Sequence, residues 1–461
     1  MIVYRRLHEI VLIILIMGML NLYDIIKNVE ISVYEVININ EKNIIYLLLI
    51  TLFFFFIFFH SNIIEKDSII YSLEFELILG LGIIGLSFLI LSNDLILFFL
   101  ALELYSLSVY LLLFKNEINK ARISILYFLL GSISSSFILL AFSIIYSYTG
   151  SLDLKYIIEN IEVIMKYHKE DEIILLMGFA LFLLGLLFKL GSAPFQFWVI
   201  RVYTQMDLKV LIYQSIIPKI AYIYIISKIL NNFNYSNNSI SSLFLFLLLF
   251  SALLSLFLGP LGGLTHGVNQ FKTIIAYSSI LHVGYLLLGL VSNYFNENIE
   301  SVGLNLFQYL LIYAFNTFHF LLAFFFLQSL YNKRSINIPI LLLNFLISIF
   351  SFIGLPPFAG FYAKLNIIIN CYYTNNILLQ IFGIIFILVS TLIALFLYLK
   401  FINYLYLNPT DWNYFNSVEL NHKTDLSSFL FSYLLSFFSL FLFFYPFFLP
   451  FLSPIFEILS L

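Results

Sequence analysis

Runs of Ile, Leu, Phe and Val, most of them about 18 residues or longer, recur along the chain with short polar stretches between them. At helical rise such a run crosses a hydrocarbon layer of roughly 30 Å, whereas the strands of a membrane barrel are short and alternate apolar with polar. The pattern therefore predicts an all-α fold, a polytopic transmembrane helical bundle of about 13 helices. They fall near 7–23, 43–60, 73–91, 94–114, 123–148, 173–206, 210–230, 241–258, 270–290, 303–331, 337–373, 376–405 and 427–450.

The sixth and eleventh runs are unusually long, and each is interrupted by Gly and Pro. Leu190-Gly191-Ser192-Ala193-Pro194-Phe195 and Ile353-Gly354-Leu355-Pro356-Pro357-Phe358 share the pattern G-x-x-P-F. Pro194 cannot donate to the carbonyl of Leu190, and Pro356 and Pro357 leave the carbonyls of Phe352 and Ile353 without helical partners. Backbone freed in this way is tolerated at membrane depth only where protein or water satisfies it again. Two broken helices in matching places predict a repeat: five-helix units at about 94–230 and 241–405, each with one discontinuous helix. An odd number of crossings per unit inverts the second relative to the first. Residues 1–93 then supply N-terminal helices, and 406–461 a C-terminal loop and helix. The competing reading is two unrelated proline kinks.

Composition narrows the class. Of 461 residues, 62% are hydrophobic and 10% charged, where soluble domains carry about 25% charged residues. A net charge of -3 without a basic block excludes a nucleic-acid partner. The single cysteine, Cys371, excludes an internal disulfide, a thiolate zinc site and an iron–sulfur cluster held by four cysteines. No Gly-rich dinucleotide or Walker loop is present, so the driving energy must arrive from elsewhere. The first apolar run continues into Asn21 and Tyr23 without a small-residue cleavage site and reads as a retained helix. Abundant Ile, Asn, Phe, Tyr and Lys look like the codon bias of an AT-rich, often organellar, genome. With the N-terminus on the side of synthesis, that side receives Arg5, Arg6, Lys115, Lys120, Arg122, Lys333 and Arg334, and the other side receives mostly acidic loops.

Against this apolar background a few ionisable residues stand out, because a charge at a helix centre costs roughly 2.5–3.5 kcal/mol and marks an ion or proton path by default. Glu103 lies about nine residues into its helix, roughly 13 Å deep by helical rise, with Ser106 one turn onward. Lys189 precedes the Gly191 break, where freed carbonyls and water can solvate it. Burial disfavours the charged forms of both, so the pair can exchange a proton at small cost; alternatively it only locks two helices together. Lys219 follows Pro218, which opens the carbonyl of Gln214. Lys364 comes about two turns after the second break and is taken as the repeat equivalent of Lys189. His282 has Ser278 and Tyr285 one turn to either side, which suits either a proton relay or a satisfied core histidine. His319 is a weaker relay candidate. Lys228 and Lys400 are expected to extend their amines to the interface, Lys272 to anchor at the surface, and Glu74, Glu76, His60 and His266 to lie at the membrane boundary. The glycosylation-like triplets at Asn234 and Asn237 read as chance matches. The seven histidines show no metal-ligand spacing, and the aromatic excess reads as lipid-facing and packing surface.

The segments LSNDLILFFLALELYSLSVYLL, LLFKLGSAPFQFWVIRVY, SIIPKIAYIYIISKIL, FKTIIAYSSILHVGYLLLGL and FIGLPPFAGFYAKLNII, in this order, resemble the subunit N type (NADH dehydrogenase subunit 2) of the antiporter-like membrane subunits of respiratory complex I. The resemblance covers about residues 73–405. It implies a proton-pumping module of NADH:ubiquinone oxidoreductase, in which Glu103 and Lys189 match the coupling pair, Lys219 the central relay, His282 the polar axis and Lys364 the onward path. It implies no cofactor in this chain, with NADH, FMN, iron–sulfur clusters and ubiquinone handled by partner subunits. The expected partners are the other membrane-arm subunits, lipids and protons, in the mitochondrial inner membrane or, alternatively, a bacterial plasma membrane. The sequence departs from the family where A-P-F-H-x-W-x-P-D-V-Y is common: Gln196 replaces His, and Ile200-Arg201 replace Pro-Asp. Rival readings are an Mrp-type cation/proton antiporter subunit and a structural membrane scaffold.

Overall fold

The computed structural model describes residues 31–33, 37–39, 41–64, 69–114, 118–157, 160, 169–233, 239–267, 271–296, 299–331 and 338–407. Its helices are α1 (Glu41–Ile64), α2 (Ile69–Leu91), α3 (Leu95–Leu113), α4 (Ile118–Thr149), α5 (Lys169–Leu190), α6 (Phe197–Tyr203) and α7 (Leu208–Phe233), followed by α8 (Ser239–Gly262), α9 (Phe271–Tyr294), α10 (Ile299–Tyr331), α11 (Ile338–Ile353), α12 (Ala359–Tyr372) and α13 (Ile377–Leu407). A π-helical turn, Gly263–Gly267, extends α8. The one departure from helix among these elements is a short antiparallel pair, β1 (Ile31–Val33) and β2 (Ile37–Ile39), with Ser32 opposite Asn38. It lies between the first two predicted crossings, and each strand is a triplet with Ile or Val at both ends.

Nine described helices are long and apolar enough to cross a membrane, and each coincides with a predicted run. The runs at 43–60 and 337–373 appear as α1 and as the shorter pair α11 and α12. The predicted crossings at 7–23 and 427–450, with the loop residues Lys115, Lys333 and Arg334, lie outside the described residues. Both interrupted runs are discontinuous as predicted: α5 gives way to α6 at Gly191, and α11 to α12 at Gly354. The stretch 94–230 contains four crossings, α3, α4, α5 with α6, and α7, so a five-membered set ending in α7 has to include α2.

Contacts divide the chain into two compact units, with cuts falling inside α3, α4, α5 and α7. The first unit comprises residues 1–112, 135–182 and 217–236. In it α2 and α3 approach closely at Gly85, where a Cβ would sit 2.9 Å from the backbone nitrogen of Tyr105. The second comprises 113–134, 183–216 and 237–461. Here α8 and α9 cross through reciprocal glycines: a Cβ on Gly259 would lie 2.9 Å from the Leu281 nitrogen, and one on Gly284 2.9 Å from the Leu256 nitrogen. Small residues at such crossings let backbones pack in a lipid phase that offers no hydrophobic drive between helices. Almost all of α9 is buried, as expected of a helix that is apolar all round and sits in a core. It therefore carries its polar residues, Ser278, Ser279, His282 and Ser292, into the interior of the second unit.

Candidate functional site

The break between α11 and α12 is built by its sequence. Gly354 adopts φ +83°, a left-handed conformation that glycine accepts without steric cost, and its N–H closes on the carbonyl of Phe350 at 3.0 Å. Gly360 lets α12 start hard against α11, since a Cβ there would fall on the carbonyl of Ser351. The carbonyls of Phe352 and Ile353, left open by the prolines, each accept a hydrogen bond of 2.8 Å from Lys364 Nζ. Lys364 is 4% exposed, so the break and the lysine solve each other's problem: an ammonium out of water gains two carbonyl dipoles, and two carbonyls gain a donor.

From this amine a sequence of polar groups runs through the second unit. Lys364 Nζ lies 5.1 Å from the ring centroid of Tyr285, within range of a cation–π contact. The Tyr285 hydroxyl is 2.9 Å from Ser390 Oγ; Ser390 donates its own proton to the Ile387 carbonyl, which leaves the phenol as donor. The rings of Tyr285 and Tyr309 are 5.8 Å apart, and Tyr309 OH is 2.8 Å from His282 Nδ1. The His282 ring lies 5.1 Å from those of Tyr313 and Phe352. Tyr313 donates to the Ser215 carbonyl at 3.0 Å, and Tyr203 to the Gln214 carbonyl at 3.1 Å. The carbonyl that Pro218 was expected to open is thus taken by a tyrosine. On the other side of Lys364, Asn366 Nδ2 donates to Gln308 Oε1 at 3.0 Å, and Asn305 Nδ2 to Asn370 Oδ1 at 2.7 Å.

The first break uses different partners. Gly191 has φ +74°, and the carbonyl of Phe188 accepts from Trp198 Nε1 at 2.9 Å. Lys189 is 8% exposed and precedes the glycine by two positions, whereas Lys364 follows its glycine by ten. Aligned on G-x-x-P-F, the position equivalent to Lys364 is Arg201, and that equivalent to Lys189 is Phe352. The two lysines are therefore not repeat equivalents, and this corrects the reading from sequence.

In the first unit Glu103 is half-buried on α3. Its Oε2 lies 3.2 Å from Ser106 Oγ, the one-turn neighbour expected from the sequence. Lys219 is buried on α7, which contains Pro218. Lys228 extends to the boundary between two spans, where its amine donates to the Ser92 carbonyl at 2.7 Å and to Asn93 Oδ1 at 2.9 Å, closing the turn between α2 and α3. Lys272 is likewise tied down, donating to the Met206 carbonyl at 2.7 Å. Lys400, Glu74 and His266 are exposed, and His319 is fully buried.

Of the five residues singled out from sequence, His282 and Lys364 share one polar stripe with Tyr285 between them. Glu103 and Lys219 belong to the first unit and Lys189 to the second. Tyr309, Tyr313, Tyr203 and Ser390 were missed; among 32 tyrosines, nothing in the sequence separates a buried, bonded phenol from one facing lipid.

Broken membrane crossings with lysines buried beside them are the features by which ion-translocating membrane proteins are recognised. The transmembrane family described as NADH:quinone oxidoreductase/Mrp antiporter matches residues 92–393, and the chain belongs to that family. It is 33% identical over 380 residues to NADH-ubiquinone oxidoreductase chain 2 of Rhizopus oryzae, covering 77% of this chain and 68% of the relative. It is 32% identical over 352 residues to NADH-quinone oxidoreductase subunit N of Pelagibacter ubique, covering 75% and 71%. The fold is shared with a chain of Thermus thermophilus respiratory complex I, at TM-score 0.60, 24% identity and coverage of 79% and 76%. It is also shared with a chain of the archaeal membrane-bound sulfane sulfur reductase, at TM-score 0.71, 21% identity and coverage of 92% and 82%.

Proposed function

We propose that the chain translocates protons as a membrane-arm subunit of an NADH:quinone oxidoreductase, with quinone reduction in other subunits supplying the energy. The observation that carries this reading is Lys364: a buried amine held by the two carbonyls that a broken helix frees, and continued through Tyr285 and Tyr309 to His282. Moving one charge against the membrane potential costs about 2.3 kcal/mol per 100 mV. Sites in such a path therefore have to hold and release protons within a few kcal/mol. An amine whose ammonium form is stabilised by only two dipoles and a ring face suits that range better than a fully ion-paired one.

In the proposed route, protonation passes from the Glu103/Lys189 pair through Lys219 and His282 to Lys364, the order that the family resemblance implies. Hydroxyl groups of Tyr285, Tyr309 and Ser390 orient the groups around His282 and Lys364. The five-crossing sets α2–α7 and α8–α13 form the inverted repeat, with one broken crossing in each. NADH, FMN, iron–sulfur clusters and ubiquinone belong to partner subunits. The neighbours in the membrane are other membrane-arm subunits, in a mitochondrial inner membrane or its bacterial equivalent.

The fold is equally shared with a chain of the Mrp complex of Dietzia, at TM-score 0.63 and 21% identity, covering 79% of this chain and 66% of that one, so a cation/proton antiporter is the second reading. Purification of the chain from its own membrane separates the two. Recovery with flavin- and iron–sulfur-containing subunits and quinone-coupled proton uptake supports the first. Sodium-dependent proton exchange in vesicles without those subunits supports the second and overturns the first.

A further inference from the structure

We propose that a depression between the start of α4 and the end of α6 binds the headgroup of an anionic phospholipid. Arg122, Ile123 and Leu126 line it from α4, and Ile200, Arg201, Thr204 and Gln205 from α6 and the turn after it; the volume is about 710 Å³. All seven belong to the second unit.

Three observations point to this ligand. Both arginines are exposed, and no Asp or Glu is among the lining residues. Two guanidinium forks from separate elements, with no carboxylate between them, form a receptor for a phosphodiester, which each can engage through paired N–H donors. Three of the lining residues are aliphatic, and the adjoining surface is strongly apolar: Ile125 is 55% exposed, Leu129 55% and Phe197 67%. A free phosphate gains nothing from such walls, whereas acyl chains below a headgroup do. Finally, Arg122 opens its membrane span and Arg201 closes the broken one, on the side assigned to Lys115, Lys120 and Arg122 by the distribution of basic loops. Basic residues at that boundary meet anionic lipid.

The site also accounts for a departure noted in the sequence. Arg201 stands where the family commonly has Asp and where the second break has Lys364. Arg201 thus places a cation at the position equivalent to Lys364, but it faces a surface depression instead of two freed carbonyls.

The proposal does not depend on proton translocation. The test uses the whole complex purified in mild detergent, depleted of lipid and titrated with spin-labelled phosphatidylglycerol, for the native chain and for Arg122→Gln, Arg201→Gln and Arg201→Lys. The expected result is one immobilised lipid fewer in each Gln variant, or binding at that site at least tenfold weaker, with partial retention in Arg201→Lys. Unchanged immobilisation in both Gln variants would overturn the proposal, as would equal binding of spin-labelled phosphatidylcholine. Displacement of the label by millimolar inorganic phosphate would show an ion site without lipid preference and also overturn it. A reporter at Gln205→Cys shielded from a thiol reagent in the lipid-depleted complex would show that a neighbouring subunit fills the depression, with the same consequence. Normal assembly and electron transfer in the variants exclude misfolding as the cause of lost binding.

Discussion

Replacing Lys364 by Arg separates a proton carrier from a structural cation. The native amine donates to the carbonyls of Phe352 and Ile353 at 2.8 Å each. A guanidinium supplies donors to the same two acceptors and the same charge toward Tyr285, so assembly should survive. Its proton does not leave: with an ordinary pKa of at least about 12, release at pH 7 costs at least roughly 7 kcal/mol, at 1.36 kcal/mol for each pH unit. That is several times the roughly 2.3 kcal/mol per charge that 100 mV represents. Lys364→Met differs in kind. It removes the donor and leaves two buried carbonyls unsatisfied at about 1–3 kcal/mol each, so about 2–6 kcal/mol in total, and the yield of assembled complex should fall. The assay is proton uptake per electron pair in reconstituted vesicles, beside the amount of assembled complex. Lys364→Arg should assemble near native levels with a lowered proton yield. Native proton yield in that variant would refute the assignment of Lys364 to the path.

Other perturbations follow from the same geometry. Tyr285→Phe removes the bond to Ser390 Oγ, worth about 0.5–1.5 kcal/mol; the expected outcome is slower proton translocation in a fully assembled complex, read from pH-dye kinetics. Gly354→Ala imposes a side chain at φ +83° with its Cβ 3.0 Å from Lys364 Cδ. Left-handed backbone alone costs roughly 1–2 kcal/mol per residue, and a lowered thermal midpoint of the complex should report it. Gly284→Leu drives a side chain into the α8 backbone, where even a Cβ lies 2.9 Å from the Leu256 nitrogen; loss of assembled chain in membranes is expected. Lys228→Met frees the Ser92 carbonyl and should lower thermal stability without changing the proton yield, since Lys228 holds a turn.

The crossings and both breaks were legible because they depend on local rules: long apolar runs, and prolines that withhold donors at known positions. Which group takes a freed carbonyl is a tertiary matter. The same G-x-x-P-F pattern gives the Phe188 carbonyl to Trp198 at the first break, and the Phe352 and Ile353 carbonyls to Lys364 at the second. Lys189 stands two residues before its glycine and Lys364 ten after its own, so the shared motif does not make the two lysines equivalent. Lys228 reaches the boundary as expected, but that protein groups hold it there is not visible in sequence, because its partners, Ser92 and Asn93, are more than a hundred residues away. The tyrosines around His282 escaped notice because phenols satisfy lipid-facing and interior positions alike, and only packing distinguishes them.

Proton yield per electron pair with Lys219→Met tests the central claim most directly, because Lys219 is buried on a proline-containing helix and its side chain is replaced by one of similar length that carries no proton. The account predicts an assembled complex that still transfers electrons but moves fewer protons for each pair. A native proton count at native electron flux would contradict it.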